Sequence, residues 1–221
     1  MTLSVALMTS LRLEPYSAQV ARWPASGRHV LAQYDDESVV VYQAYRPSIG
    51  RFAAEHGYFG GEFSLGRMSW IKPNFLWMMY RCGWATKEGQ ETVLAIWLAR
   101  KAFDEILALA VPSSFWDQCY ADRAEWQADV ARSDVRLQWD PDHDPHGRPV
   151  PRRALQLGLR REVLARYARE WIHRIEDISP FVRDQHARLN SSGVSALELP
   201  SEQVFPCTAS PRVGADQSPS T

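Results

Sequence analysis

Between Arg67 and Lys87 the chain concentrates cations and indoles: Arg67-Met68-Ser69-Trp70-Ile71-Lys72-Pro73-Asn74-Phe75-Leu76-Trp77-Met78-Met79-Tyr80-Arg81-Cys82-Gly83-Trp84-Ala85-Thr86-Lys87. Read as a strand, Arg67 to Ile71 places Arg67, Ser69 and Ile71 on one face and Met68 and Trp70 on the other. Pro73 suits the first position of a helix that ends at Gly83, so Lys72 lies beside free N–H groups and the positive end of the helix dipole. That combination suits a phosphate or a carboxylate. Four residues separate Trp77 from Arg81, which lets a guanidinium lie across an indole and stiffens it for a planar or phosphorylated ligand. The structural alternative is a central helix, apolar on all sides, with Arg81 paired to an acid. On balance the apolar residues belong mainly to the core, and Arg67, Trp70, Lys72, Trp77 and Arg81 are the candidate ligand-binding residues.

Other groups are weaker candidates. Asp140, Asp142, His143, Asp144 and His146 place carboxylates at i, i+2 and i+4 with imidazoles nearby, a set that can hold a divalent metal. The spacing lacks the terminal bidentate Glu of a calcium loop and any zinc signature, and these residue types also build turns, so no metal site is assigned. Gln138 and Gln156 sit between apolar neighbours on predicted strands. Either they face inward and need partners that a ligand can supply, or they face solvent on the polar side. Tyr42 and Glu37 are the polar catalytic candidates. Cys82 lies at a helix C-terminus, where the dipole disfavours a thiolate. Ser69 has no GxSxG setting, and neither GxxxxGK[ST] nor GxGxxG occurs. The cofactor is left open by these residues.

Positioning these residues requires a scaffold of both strands and helices. His29 to Tyr34 and Ser38 to Tyr45 flank the turn Asp35-Asp36-Glu37 and read as a strand pair. Pro47 opens a short helix that Gly57 stops, and glycines 57, 60, 61 and 66 mark a loose connection. Thr92 to Trp97 reads as a buried strand, Ala99 to Ala110 as an amphipathic helix, and Ser114 to Ala131 as a second helix. Val135 to Trp139 and Ala154 to Leu159 form a hairpin around a long loop from Asp140 to Pro151. Leu164, Tyr167, Ala168, Trp171, Ile172 and Ile175 trace one helical stripe. The expected fold is a single α+β domain over residues 28–189, with short mixed or antiparallel strands and several packing helices. Residues 1–27 form an N-terminal extension, and the Ser- and Pro-rich residues 190–221 a disordered tail.

With 221 residues and 45% hydrophobic content, one sizeable core is the expectation. Lys plus Arg (25) nearly balance Asp plus Glu (26), so no global field draws the protein to nucleic acid or an anionic membrane. Three cysteines without CxxC spacing indicate free thiols. Neither a signal peptide nor a membrane span is recognisable, which points to a cytoplasmic protein with either Met1 or Met8 as its start.

Longer sequence words resemble a known family. Tyr34-Asp35-Asp36-Glu37, Val41-Tyr42-Gln43-Ala44-Tyr45, Arg67 to Pro73, Phe75 to Arg81, Gln138-Trp139-Asp140-Pro141 and Arg153 to Leu159 together resemble the bacterial and fungal family called domain of unknown function 4291. The resemblance runs from about Arg28 to Arg183. It implies a shared fold and leaves the reaction open.

Three functions fit the residues. The first is an enzyme for a nucleotide-like or phosphorylated substrate, one form of which is ADP-ribosyl transfer from NAD across split short strands. The second is a non-catalytic module binding single-stranded RNA with the same cations and aromatics. The third is a protein-interaction scaffold that uses some of the nine tryptophans.

Overall fold

Val39, Val41, Leu94, Ile96 and Leu98 point to one side of a central sheet, Val40, Tyr42, Val93 and Ala95 to the other, and both sides are covered by apolar cores. This is why both runs are apolar throughout rather than alternating with polar residues. The computed structural model describes residues 9–117 and 119–207. In chain order it contains β1 (Leu13–Pro15), α1 (Tyr16–Val20), β2 (Gly27–Arg28), β3 (Leu31–Ala32), β4 (Ser38–Tyr45), α2 (Pro47–His56), β5 (Ser69–Ile71) and α3 (Phe75–Cys82). There follow β6 (Thr92–Ala99), α4 (Arg100–Leu109), β7 (Ala110–Pro112), α5 (Arg123–Arg132), β8 (Val135–His143) and β9 (Pro149–Leu159). The remainder is α6 (Arg161–Arg169), β10 (Ile172–Asp177), α7 (Ser179–Ser192), β11 (Glu198–Pro200) and β12 (Gln203–Val204). The fold is a mixed α+β single domain.

The central sheet has the order β10-β6-β4, antiparallel throughout. A second sheet has the order β2-β9-β8-β7, with β5 paired to the far end of β9. Leu137, Leu155, Leu157, Leu159 and Ile71 from this sheet share a core with the central sheet, α4 and α6. Helices α3 and α7 cover the opposite side of the central sheet with Phe75, Met78, Met79, Phe181 and Val182. The Tyr42–Lys72 bridge joins the two sheets.

Several elements differ from the sequence reading. Leu31–Ala32 pairs with β12, and its contact with β4 narrows to the Tyr34–Val39 bridge. The expected helix from Ser114 begins only at Arg123, where Asp122 accepts the Glu125 N–H as N-cap; Trp126 Nε1 donates to the Pro112 carbonyl. The stripe from Leu164 to Ile175 is divided: the helix ends at Arg169, and Ile172 to Asp177 pair with β6. Helical and strand spacing coincide over this short apolar run, and pairing with β6 decides between them.

The hairpin loop is also shorter than expected, because β8 and β9 extend to His143 and from Pro149. The turn between them is closed by Asp144, which accepts from His146 N, Arg148 N and Arg148 Nε, and by Gly147 at φ +78°.

The predicted disordered tail is ordered as far as the described residues reach. Helix α7 runs to Ser192, β11 pairs with β1, and Leu197, Leu199 and Phe205 are buried. Each such burial contributes roughly 1.5–3 kcal/mol, enough to offset the ordering of a polar segment around it. Residues 9–27 likewise belong to the fold, since Gln19 is buried and donates to the Leu199 carbonyl. Residues 208–221 of the predicted tail, and 1–8 of the predicted extension, lie outside the described residues.

Candidate functional site

Beyond the Tyr42–Lys72 bridge β4 and β5 lose their backbone pairing, and side chains span the gap. Gln43 Nε2 lies 2.8 Å from Tyr45 Oη, 2.9 Å from Ser69 Oγ and 3.2 Å from the Trp70 carbonyl. Tyr45 Oη and Ser69 Oγ are 2.6 Å apart, and Tyr167 Oη donates to Gln43 Oε1 at 2.7 Å. Every polar atom of the buried Gln43 amide is thereby satisfied, as a low-dielectric setting requires. Burial raises the hydroxyls of Tyr45 and Tyr167 above the ordinary tyrosine range, so the network is neutral.

The divergence opens a cleft of about 730 Å³. Gln43, Tyr45 and Ser69 line it, as do Arg46, Arg67, Trp70, Lys72, Met78 and Arg81. Trp70 lies against Gly158 of the neighbouring strand, where an added Cβ would come within 3.0 Å of the indole and 2.6 Å of Met68 Sδ. Glycine is therefore what lets the indole lie flat on β9.

Charge is the distinguishing property of the cleft. Arg46 pairs with Glu62 at 2.7 Å at the mouth. Among the described residues, Arg67, Lys72 and Arg81 make no ion pair. Lys72 is only 7% exposed. Burial, and then the neighbouring Arg81 guanidinium, depress its ammonium to about 8, while Asp140 acts weakly in the opposite direction. Its backbone is fixed by the bridge to Tyr42, so the side chain cannot leave for solvent by shifting the strand.

Gln138, Gln156 and Asp140 lie on the same face of the second sheet as Trp70, by strand alternation and the pairings Gln138–Gln156 and Trp70–Gly158. Gln156 Nε2 donates to Asp140 Oδ2 at 2.6 Å, and Gln138 Nε2 to Asp140 Oδ1 at 3.3 Å. The two glutamines thus lie half-buried on the polar side of the alternating strands, opposite Leu137, Leu155 and Leu157, and hold a carboxylate there. Burial raises Asp140, opposed by the Gln156 bond and by the Arg81 and Lys72 charges.

A family model described as Domain of unknown function (DUF4291) matches residues 29–205. The chain belongs to this DUF4291 family. Comparison with curated proteins returns no match. The DUF4291 match reaches past α7, so it takes in the ordered C-terminal segment as well as every cleft residue named above.

Of the residues proposed from sequence, Arg67, Trp70, Lys72 and Arg81 come together in the cleft, and Gln138 and Gln156 sit beside it on the same sheet face. Trp77 does not reach it. Asn74 caps α3, and Trp77 is 4% exposed, beside the mutually stacked rings of Tyr80 and His143; Arg81 rests 5.9 Å from its ring. Pro73 precedes that cap and is not the first helical residue.

Neither catalytic candidate faces the cleft. Tyr42 is on the even-numbered side of β4, buried edge-on against Phe75. Glu37 is exposed in the Asp35 turn, where its N–H donates to Asp35 Oδ1.

Among the described residues no group of three or more His, Cys, Asp or Glu side chains is arranged to hold a metal. Asp142 forms a buried pair with Arg152 at 2.7 Å, and His143 is stacked on Tyr80. Sequence reasoning missed Gln43, Tyr45 and Tyr167. Their signal is weak: a glutamine on the inward side of an otherwise apolar strand, whose partners lie 26 and 124 residues away.

Proposed function

We propose that this DUF4291 member is an enzyme whose cleft binds the anionic part of a nucleotide-like or phosphorylated ligand. The observation that carries this reading is Lys72: a lysine only 7% exposed that makes no ion pair, at the wall of a cleft that Arg67 and Arg81 also line. A buried uncompensated charge costs several kcal/mol of stability, and a site that repeatedly receives an anion gives that cost a use. Trp70 supplies a half-buried indole beside the cations, suited to stacking on a planar group.

Single-stranded RNA has less support. In the central block Trp77 and Trp84 are buried, which leaves one indole rather than a row of stacking platforms. With Tyr42 and Glu37 facing elsewhere, ADP-ribosyl transfer has no acid–base pair from that set, and NAD enters as one ligand among several to test.

Thermal unfolding with NAD, ATP, GTP and a single-stranded oligonucleotide tests the proposal. A nucleotide at a hundred times its Kd should stabilise the wild type by about 2.7 kcal/mol, and Lys72→Met or Arg81→Ala should abolish the response. Stabilisation by the oligonucleotide alone, lost at raised salt, would favour the RNA reading instead.

A further inference from the structure

Asp140 and the cleft cations hold opposite charges that stay apart. Asp140 stands beside the cleft lining, on the same face of the second sheet as Trp70, and it forms no ion pair with Lys72 or Arg81, although the charges act on one another. In a partly desolvated site such charges collapse into a salt bridge unless the scaffold restrains both. Here it does. Lys72 is packed in the cleft wall at 7% exposure, and Asp140 is held by one amide on each carboxylate oxygen.

The bonding of Asp140 also describes what can meet it. A carboxylate offers about four lone-pair sites, and Gln138 and Gln156 occupy one on each oxygen. One site on each oxygen is left for a pair of neighbouring donors. Those donors are not ammonium groups, since Lys72, Arg81 and Arg153 all add positive potential there. Neutral hydroxyls satisfy both conditions.

We propose that Asp140 is the hydroxyl-recognising residue of this site, and that the ligand is a phosphorylated polyol whose anionic group meets Lys72 and Arg81 while two vicinal hydroxyls donate to Asp140. This deepens the anion-binding reading above and rests on it. A ribonucleotide and a sugar phosphate share this chemistry.

Titration calorimetry at pH 7 separates the possibilities, using ATP, 2′,3′-dideoxy-ATP, ribose 5-phosphate and pyrophosphate. Wild-type protein should bind ATP about tenfold or more tightly than the dideoxy analogue, the loss expected when a charged acceptor goes unpaired. Asp140→Asn should remove that preference while pyrophosphate still binds, at least as tightly as to the wild type because a nearby negative charge is gone, which also certifies the variant as folded. Gln156→Met, which frees the carboxylate, should reduce the preference in the same direction. Ribose 5-phosphate binding as tightly as ATP would identify a sugar phosphate, and the reverse a nucleotide. Equal wild-type affinity for ATP and its dideoxy analogue would overturn the role of Asp140 and leave the anion site standing. Failure of all four to bind would overturn both.

Discussion

Tyr42 and Lys72 exchange both backbone hydrogen bonds, Tyr42 N to Lys72 O at 2.7 Å and Lys72 N to Tyr42 O at 3.2 Å. This one bridge joins the two sheets, buries the lysine and marks the point beyond which β4 and β5 separate. The strand pairing that stabilises the fold therefore also fixes the least comfortable charge in it.

Replacing that charge should strengthen the protein at the expense of its function. Lys72→Met retains the aliphatic stem and removes the desolvated ammonium, so urea unfolding at pH 7 should show a gain of about 1–3 kcal/mol. The same variant should show no ligand-induced shift. A loss of stability would mean that the ammonium has a compensating partner in solution.

The pH dependence of Lys72 has a defined sign. Unfolded lysine keeps its proton up to about 10.5, whereas the folded state releases it near 8. Between those values the unfolded chain holds more protons, so this group makes stability rise with pH, by roughly 3 kcal/mol across the window. Buried tyrosines act oppositely above pH 10, so the quantity to measure is the difference between wild type and Lys72→Met from pH 7 to 10. Anion affinity should fall over the same range as the ammonium is lost.

The hydrogen bond from Tyr167 to Gln43 supports the cleft from behind. Tyr167→Phe leaves Gln43 Oε1 buried without a donor and should cost about 1–3 kcal/mol in urea unfolding. If the network positions the cleft wall, Tyr167→Phe should also weaken ATP binding, measured by calorimetry. Unchanged affinity would assign the network to stability alone.

Local residue pattern made some of this architecture readable. Val39 to Tyr42 and Thr92 to Trp97 announce buried strands because β-branched and large apolar residues recur without a break, and Pro47 and Gly57 bracket α2 by backbone chemistry alone. The cations of the central block were visible for the same reason, since they stand out among apolar neighbours. What stayed hidden depends on residues far apart in the chain. Gln43 reads as an interruption until Ser69 and Tyr167 are beside it, and Tyr42 and Gln43 face opposite sides although they are adjacent. The C-terminal segment reads as a disordered tail because its few apolar residues, Leu197, Leu199 and Phe205, are spaced to fill gaps left by other elements.

Glu202 joins that segment to the site helix. Its carboxylate accepts from Phe75 N at 2.6 Å and Asn74 Nδ2 at 3.2 Å, and both donors are buried at the start of α3. Glu202→Ala should leave them unsatisfied and lower stability by about 3 kcal/mol, measurable as a reduced urea midpoint with an unchanged slope. Full stability in this variant would show that water replaces the carboxylate there.

The contact between Phe75 and Glu202 spans 127 residues of chain. During translation α3 therefore emerges with its local Asn74 cap on Trp77 N available but with the Phe75 N–H lacking its carboxylate until residue 202 has left the ribosome. Met78 and Arg81, which α3 carries to the cleft wall, are correspondingly among the last parts of the site to be secured. A stall or truncation after residue 156 and before residue 202 would yield a chain holding the cleft residues but not the clamp at the start of their helix.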